Sequence, residues 1–229
     1  NMRITMKKAT FLFCFFLLLI SCKKEPQVVT KITAKTIAID SLLESDNNIT
    51  NTIAPYKKKM FVEINTIISY SKNKIDRYDG ELESSLGNLL ADLSYQRVQP
   101  LFFIKTEKNI DFALFNYGGI RASISKGIVT NKNAFELMPF ENNYVVVKLS
   151  GEKIEELIAY LIKGERAHPL SKQFRLTITN KGYNLSINNT SFNKNKSYLV
   201  LTTDFLQSGG DRMDFFKNPI ELHKIDYKM

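Results

Sequence analysis

Three short segments carry side chains that could bind a small ligand. Residues 116–121 combine an amide and a guanidinium with two glycines, which let a ligand approach the backbone closely. Residues 138–142 hold an aromatic ring between a proline and an amide, and residues 204–211 hold a second ring, a glycine turn and a carboxylate. The joint content of the segments indicates a binding site, formed by Asn116, Gly118, Gly119, Arg121, Phe140, Asn142, Phe205, Gly209, Gly210 and Asp211.

Residues for self-sufficient catalysis are scarce in this chain. Its two histidines, His168 and His223, have no ligand-type spacing, and we interpret both as surface or packing residues. No Gly-x-Ser-x-Gly nucleophile motif occurs, and both cysteines, Cys14 and Cys22, lie close to the first residue. We therefore assign no catalytic residue and no metal ligand, and expect no cofactor in this chain.

The first residues have the pattern of a targeting sequence. Two lysines precede an apolar run at residues 9–20, which is too short to span a bilayer comfortably and is typical of a secretory signal. Residues 19–22 (Leu-Ile-Ser-Cys) are similar to the bacterial lipobox, which predicts a signal peptide at 1–21 and a lipid on Cys22. A cleaved signal followed by a chance cysteine is the alternative. We expect a chain anchored by lipid to a membrane of the bacterial cell envelope.

The rest of the chain divides into a tether and one folded domain. Residues 22–55 are mostly polar and predict a tether, and residues 56–229 alternate between helical and strand patterns. Apolar residues at steps of three and four predict helices at 60–68, 86–93 and 151–161. Strands are predicted at 110–115, 143–149, 174–179, 183–187 and 198–203. Without a regular βαβ rhythm, this mixture favours an α+β fold with a mixed sheet and helices.

Charge argues against a nucleic-acid partner. The formal net charge is +9, but only seven of the 32 basic residues are arginines and no run of five basic residues occurs.

Four ordered blocks resemble the C-terminal domain of the 5'-nucleotidase and UDP-sugar hydrolase family. They are residues 83–89 (Glu-Ser-Ser-Leu-Gly-Asn-Leu), 116–121, 139–142 and 205–211. The resemblance covers about residue 57 to the end. In that family this domain binds the nucleoside, and a separate N-terminal metallophosphatase domain holds two metal ions and performs hydrolysis. Nothing in this sequence resembles the second domain.

The resemblance implies a role for each matched residue. Phe140 and Phe205 match two aromatic residues that sandwich the base, for which ordinary core packing is the alternative. Asp211 matches the carboxylate that accepts from ribose hydroxyls, and Asn116 matches an amide near the base edge. Arg121 matches a guanidinium on the sugar-phosphate side, and Asn142 matches a further polar position on the base side.

This sequence also departs from the family pattern. Tyr117 stands where a third glycine is usual, and Arg212 and Met213 replace a glycine and an aromatic residue. Leu82 and Glu83 occupy the stretch where an arginine is common, and the family pattern leads us to expect a closing helix beyond Met229 and hence a truncated C-terminus.

Two functions are compatible with this pattern. One is the nucleotide-recognition half of a split 5'-nucleotidase-type phosphohydrolase in nucleotide catabolism. It would be inactive alone, with divalent metal ions held by a separately encoded metallophosphatase subunit. The other is a free-standing nucleoside- or nucleotide-binding lipoprotein.

Overall fold

The computed structural model describes residues 28–229, so the predicted signal peptide and Cys22 lie outside the described residues. Residues 28–46 are exposed and contain no helix or strand. The first helix, α1 (Asn47–Ile64), begins after Asp46, whose carboxylate accepts from the backbone N–H groups of Asn48 and Ile49 at 2.8 and 3.1 Å. The helix thus begins inside the segment predicted as a tether. No helix among residues 28–229 is long and apolar enough to cross a membrane.

A four-stranded mixed sheet is the centre of residues 51–229. Its strands are β2 (Phe112–Ala113), β4 (Asn143–Ser150), β8 (Ser197–Thr203) and β9 (Glu221–Lys228), in the order β2-β8-β4-β9. Strand β2 runs parallel to β8, whereas the β8–β4 and β4–β9 pairs are antiparallel. The α+β fold with a mixed sheet is therefore confirmed.

Both faces of the two central strands, β4 and β8, are buried, which explains their nearly continuous apolar sequences. Because successive side chains point to opposite faces, Val145 and Val147 of β4 pack on one side and Tyr144 and Val146 on the other. The first side is covered by α4 (Gly151–Gly164), and the second by α2 (Ser85–Thr106). The sheet therefore lies between two helices.

The two covering helices begin where the sequence predicts. The hydroxyl of Ser84 accepts from the backbone N–H of Gly87 at 3.1 Å and caps α2, and the hydroxyl of Ser150 accepts from Lys153 at 3.5 Å at the start of α4. Helix α4 buries one apolar stripe, as its three- and four-residue spacing predicts. Helix α2 instead buries Leu86, Ala91, Val98 and Phe102, and it leaves Leu93, the last apolar residue of its predicted pattern, 45% exposed.

The predicted helix over 60–68 is wrong in its second half. Helix α1 ends at Ile64, and β1 (Ile67–Ser71) pairs antiparallel with β3 (Gly127–Thr130). Ile67 and Ile68 fit a helical spacing from Ile64, but they lie in an exposed strand whose pairing partner is distant in sequence. The predicted strand over 110–115 is also shorter, because only Phe112–Ala113 form β2.

A small sheet of three strands packs beside α4. Strands β5 (Phe174–Thr179), β6 (Gly182–Ile187) and β7 (Thr190–Ser191) form an antiparallel sheet. Asn188 and Asn189, with φ of 52° and 59°, make the tight turn that such a pair of residues favours. The remaining elements are α3 (Asn131–Leu137), α5 (Asp204–Gln207) and 3-10 turns at Tyr117–Gly119, Gly210–Arg212 and Asp214–Phe216.

Candidate functional site

Sheet topology explains why the three predicted segments meet. Residues 116–121 follow β2, and residues 204–211 follow β8, which is parallel to β2. Residues 138–142 precede β4, which is antiparallel to β8. The end of β2, the end of β8 and the start of β4 therefore lie at one edge of the sheet.

A hydrogen bond joins the first segment to the third. The Asn116 side-chain amide donates to the Asp211 carboxylate with Nδ2 and Oδ2 2.7 Å apart. A Cβ on Gly118 would approach that carboxylate oxygen to 3.4 Å, and one on Gly119 would lie 3.0 Å from the side-chain amide oxygen of Asn116. The two glycines thus leave room for the Asn116–Asp211 pair.

Neither of the two aromatic residues predicted to sandwich the base is a core residue. Phe140 is 37% exposed and Phe205 is 45% exposed, which does not fit the core-packing alternative. The Phe205 ring lies against Gly210, where an added Cβ would come within 2.5 Å of ring carbons. The Arg121 guanidinium carbon lies 5.2 Å from the centre of the Phe140 ring, a cation–π distance. A ring face and a cation are therefore presented together, while the sandwiching of a base remains a prediction.

The glycine turn sets the direction of Asp211. Gly209 has φ of 96°, a conformation that favours glycine, and Asp211 and Arg212 follow with φ of 54° and 60°. This succession of left-handed residues turns the chain sharply after α5, bringing the Asp211 side chain back to Asn116.

Three residues that the sequence did not single out for binding support the site. The Tyr160 hydroxyl donates to the Asp211 carbonyl oxygen at 3.0 Å, and Nδ1 of His168 accepts from the Tyr117 N–H at 3.1 Å. The Arg77 guanidinium donates to the Ile120 carbonyl oxygen and lies 4.7 Å from the Tyr117 ring centre. These contacts fix the backbone of the first and third segments. Tyr160 lies on α4, and Arg77 and His168 lie on distant loops. The three residues share no motif, so no local signal indicated them.

Burial keeps two of these supporting groups neutral. It raises the pKa of the Tyr160 hydroxyl and lowers the pKa of the His168 imidazole below its usual 6.5. Tyr160 is therefore protonated near pH 7, and its hydroxyl can donate the hydrogen bond to the Asp211 carbonyl oxygen. Because Nδ1 of neutral His168 accepts a hydrogen bond, the ring proton lies on Nε2.

Asn142 and Gly209 were also predicted to bind the ligand, but their contacts lie away from the Asn116–Asp211 pair. Asn142 is half-buried, and its backbone carbonyl accepts from the Met229 N–H at 3.0 Å. Gly209 is packed near Lys217, whose side chain an added Cβ would meet at 2.1 Å. Gly209 shapes the turn, and the Asn142 side chain forms no hydrogen bond with the Asn116–Asp211 pair.

The donor set of the described chain does not suit a two-metal centre. Among residues 28–229, no group of three or more His, Cys, Asp or Glu side chains could hold a metal ion. His168 is interior and bonded to Tyr117, whereas His223 lies beside Glu221 with 3.1 Å between Nε2 and Oε2. Both histidines are thus packing or surface residues.

Two known proteins are similar to this chain in sequence. The trifunctional nucleotide phosphoesterase protein YfkN of Bacillus subtilis is 28% identical over 165 residues, which cover 64% of this chain and 11% of the relative. A 5'-nucleotidase of Vibrio vulnificus is 23% identical over 199 residues, or 84% of this chain and 34% of the relative. The chain thus spans about a third or less of the length of these two relatives.

Solved structures share the fold. A 5'-nucleotidase precursor from Thermus thermophilus superimposes with a TM-score of 0.58 and 22% identity, over 78% of this chain and 38% of the other. The family model of the 5'-nucleotidase C-terminal domain matches residues 65–218, which include the three binding segments and most of the folded domain. The chain therefore belongs to the 5'-nucleotidase C-terminal domain family.

Proposed function

We propose that this chain is the nucleotide-recognition half of a split 5'-nucleotidase-type phosphohydrolase in nucleotide catabolism. The observation that carries the proposal is the hydrogen-bonded Asn116–Asp211 pair at the sheet edge that also presents Phe140, Phe205 and Arg121. Half-exposed rings are suited to stacking on a base, which contributes about 1 to 3 kcal/mol per base.

Polar groups at the same edge suit the sugar and phosphate. Asn116 occupies one oxygen of the Asp211 carboxylate, and the other oxygen remains to accept from ribose hydroxyls. The exposed Arg121 guanidinium is suited to a phosphate oxygen, because its planar set of donors forms charge-assisted hydrogen bonds. The chain would thus bind and orient a nucleotide without supplying a nucleophile.

Hydrolysis requires a partner in this proposal. Two-metal phosphate hydrolysis uses ions about 3.5 to 4 Å apart, held by several His and carboxylate ligands. The described residues offer no such cluster, and the Bacillus subtilis and Vibrio vulnificus relatives have most of their length outside the matched region. We assign the divalent ions to a separately encoded metallophosphatase subunit.

Phosphate release is the test of the split enzyme. The purified chain should bind adenosine but release no phosphate from AMP with Mn²⁺, Zn²⁺ or Co²⁺. A complex isolated from native membranes through this chain should release phosphate, and Asp211→Asn should reduce that release. Metal-dependent turnover by the pure chain would contradict the division of labour. Adenosine binding without phosphate release in the native complex would favour the free-standing binding lipoprotein.

The proposed location depends on Cys22. Its lipidation would place the chain on a membrane of the bacterial cell envelope, because two acyl chains anchor a protein stably. Cys22→Ser should yield an unprocessed or soluble form, whereas Cys14→Ser, a matched change within the apolar run, should fractionate like the wild type. Unchanged fractionation and mobility of Cys22→Ser would contradict the anchor.

A further inference from the structure

A cavity of about 500 Å³ opens between the start of α2, the segment 165–172 and strand β5. None of the ten residues predicted to bind the nucleotide lines it. Its volume is within the range of small-molecule sites, roughly 300 to 1,000 Å³. His168 lies on its wall and bonds to Tyr117 of the neighbouring site, so the cavity is adjacent to that site but separately lined.

Part of the cavity wall is aliphatic. Leu161, Leu170, Leu176 and Ile178 line it, and Ile178 is 43% exposed although it is apolar. Phe174 also contributes, but its ring is buried and packs 4.7 Å from the ring of Phe112. The cavity thus offers apolar surface without an open aromatic face, which suits an aliphatic body better than a nucleotide base.

Basic side chains converge on the same cavity. Arg166, Lys172 and Arg175 line it and are exposed, and none of their side chains forms a salt bridge with a carboxylate among residues 28–229. Two carboxylates are also present, but each already accepts a hydrogen bond: Asp92 from the Lys172 N–H at 2.9 Å, and Glu83 from the Asn88 amide at 3.2 Å. Cations outnumber carboxylates at the opening, which favours an anionic ligand.

We propose that this cavity binds a small amphipathic organic anion, in addition to the nucleotide bound at the sheet edge. The aliphatic body would contact Leu161, Leu176 and Ile178, where it removes apolar surface from water. The acidic head group would lie among Arg166, Lys172 and Arg175. Both parts of the ligand are required, because neither an apolar wall nor exposed cations alone provide selectivity.

The test uses decanoate as the ligand and anilinonaphthalene sulfonate as a fluorescent reporter of the cavity. Decanoate should displace the reporter from the wild-type chain, whereas decanol, which lacks the charge, and acetate, which lacks the chain, should not at equal concentration. Saturating adenosine should leave the reporter bound. Displacement by decanol as efficient as by decanoate, or competition by adenosine, would overturn the proposal.

Matched charge reversals locate the site. Lys172→Glu with Arg175→Glu should weaken decanoate binding at least tenfold, which corresponds to about 1.4 kcal/mol. Lys181→Glu with Lys196→Glu makes the same charge change outside the cavity and should bind decanoate like the wild type. Ile178→Asn tests the apolar wall and should also weaken binding. Equal affinities in all variants would refute the site.

Adenosine affinity separates this proposal from the proposed function. The Lys172→Glu, Arg175→Glu variant should bind adenosine as the wild type does, since neither residue contacts the sheet-edge site. Loss of decanoate binding with retained adenosine binding supports the second site. Failure of decanoate to bind the wild type would refute it without affecting nucleotide recognition.

Discussion

The side chains of Asn116 and Asp211 lie 2.7 Å apart although 95 positions separate them in the sequence. Asn116 follows β2 and Asp211 follows the parallel strand β8 by way of α5, so the sheet brings the two turns together. The bond fixes an acceptor-rich carboxylate at the sheet edge and leaves one of its oxygens for a ligand.

Replacing that carboxylate should weaken the binding of nucleosides but not the binding of free bases. Asp211→Asn is nearly isosteric but loses a charged acceptor, so adenosine should bind roughly tenfold to a hundredfold more weakly, as expected for a hydrogen bond to a charged group. Adenine has no ribose and should bind with unchanged affinity. Calorimetric titration of both ligands checks this prediction, and an equal loss for adenine and adenosine would contradict the ribose contact.

A single methyl group should displace the Phe205 ring. In Gly210→Ala the new Cβ would come within 2.5 Å of that ring, which must move from its present position. Adenosine affinity should fall several-fold with a smaller change in the denaturation midpoint, because the ring is exposed. Gly164→Ala is the matched control, since nothing lies within 4 Å of its Cβ. If both variants bind adenosine like the wild type, Phe205 does not contact the base in its present position.

Acid should destabilise the fold partly through Asp76. Hydrogen bonds from Lys74 and Ser123 lower its pKa from 3.8 to about 2. The unfolded chain therefore takes up this proton more readily, so ionised Asp76 stabilises the fold above about pH 4, and this contribution is lost as the pH falls to about 2.

Asp76→Asn should lower the free energy of unfolding at pH 7. Between pH 5 and pH 2.5, the free energy of unfolding should fall less in the variant than in the wild type. Denaturant titrations of both proteins at several pH values measure the difference. Parallel curves for the wild type and the variant would show that Asp76 does not contribute to this pH dependence.

Local sequence patterns predicted the elements whose contacts are close in sequence. Helix α4 follows its apolar spacing, and the β5–β6 hairpin follows its alternation and turn residues. Ile67 and Ile68 were misassigned because their partner, β3, is some sixty residues away and no local period reveals that pairing. Strand β2 ends at Ala113, and Leu114 pairs with Leu170 in an isolated bridge, which the apolar run over 110–115 does not reveal.

The side chains proposed to bind a ligand were easier to identify from the sequence than the residues that support them. The blocks 116–121 and 205–211 combine glycine with polar and aromatic side chains in a recognisable order, and the structure brings Asn116 and Asp211 together. Tyr160 and His168 act through single contacts to backbone atoms. Their positions depend on how α4 and the following loop pack, which one-dimensional spacing does not encode.

Phe205→Ala tests most directly whether this chain recognises a nucleoside between half-exposed aromatic rings. Calorimetry should show adenosine binding weakened by about 1 to 3 kcal/mol, roughly fivefold to more than a hundredfold, because a stacking face is lost. Chemical denaturation should show little change, since Phe205 is 45% exposed.

Phe103→Ala is the matched control, because Phe103 is 46% exposed on α2 and is not among the residues predicted to contact the nucleoside. It should bind adenosine like the wild type. Selective loss of adenosine affinity in Phe205→Ala is the predicted result. Unaltered adenosine affinity in Phe205→Ala, with a large fall in the denaturation midpoint, would contradict the account.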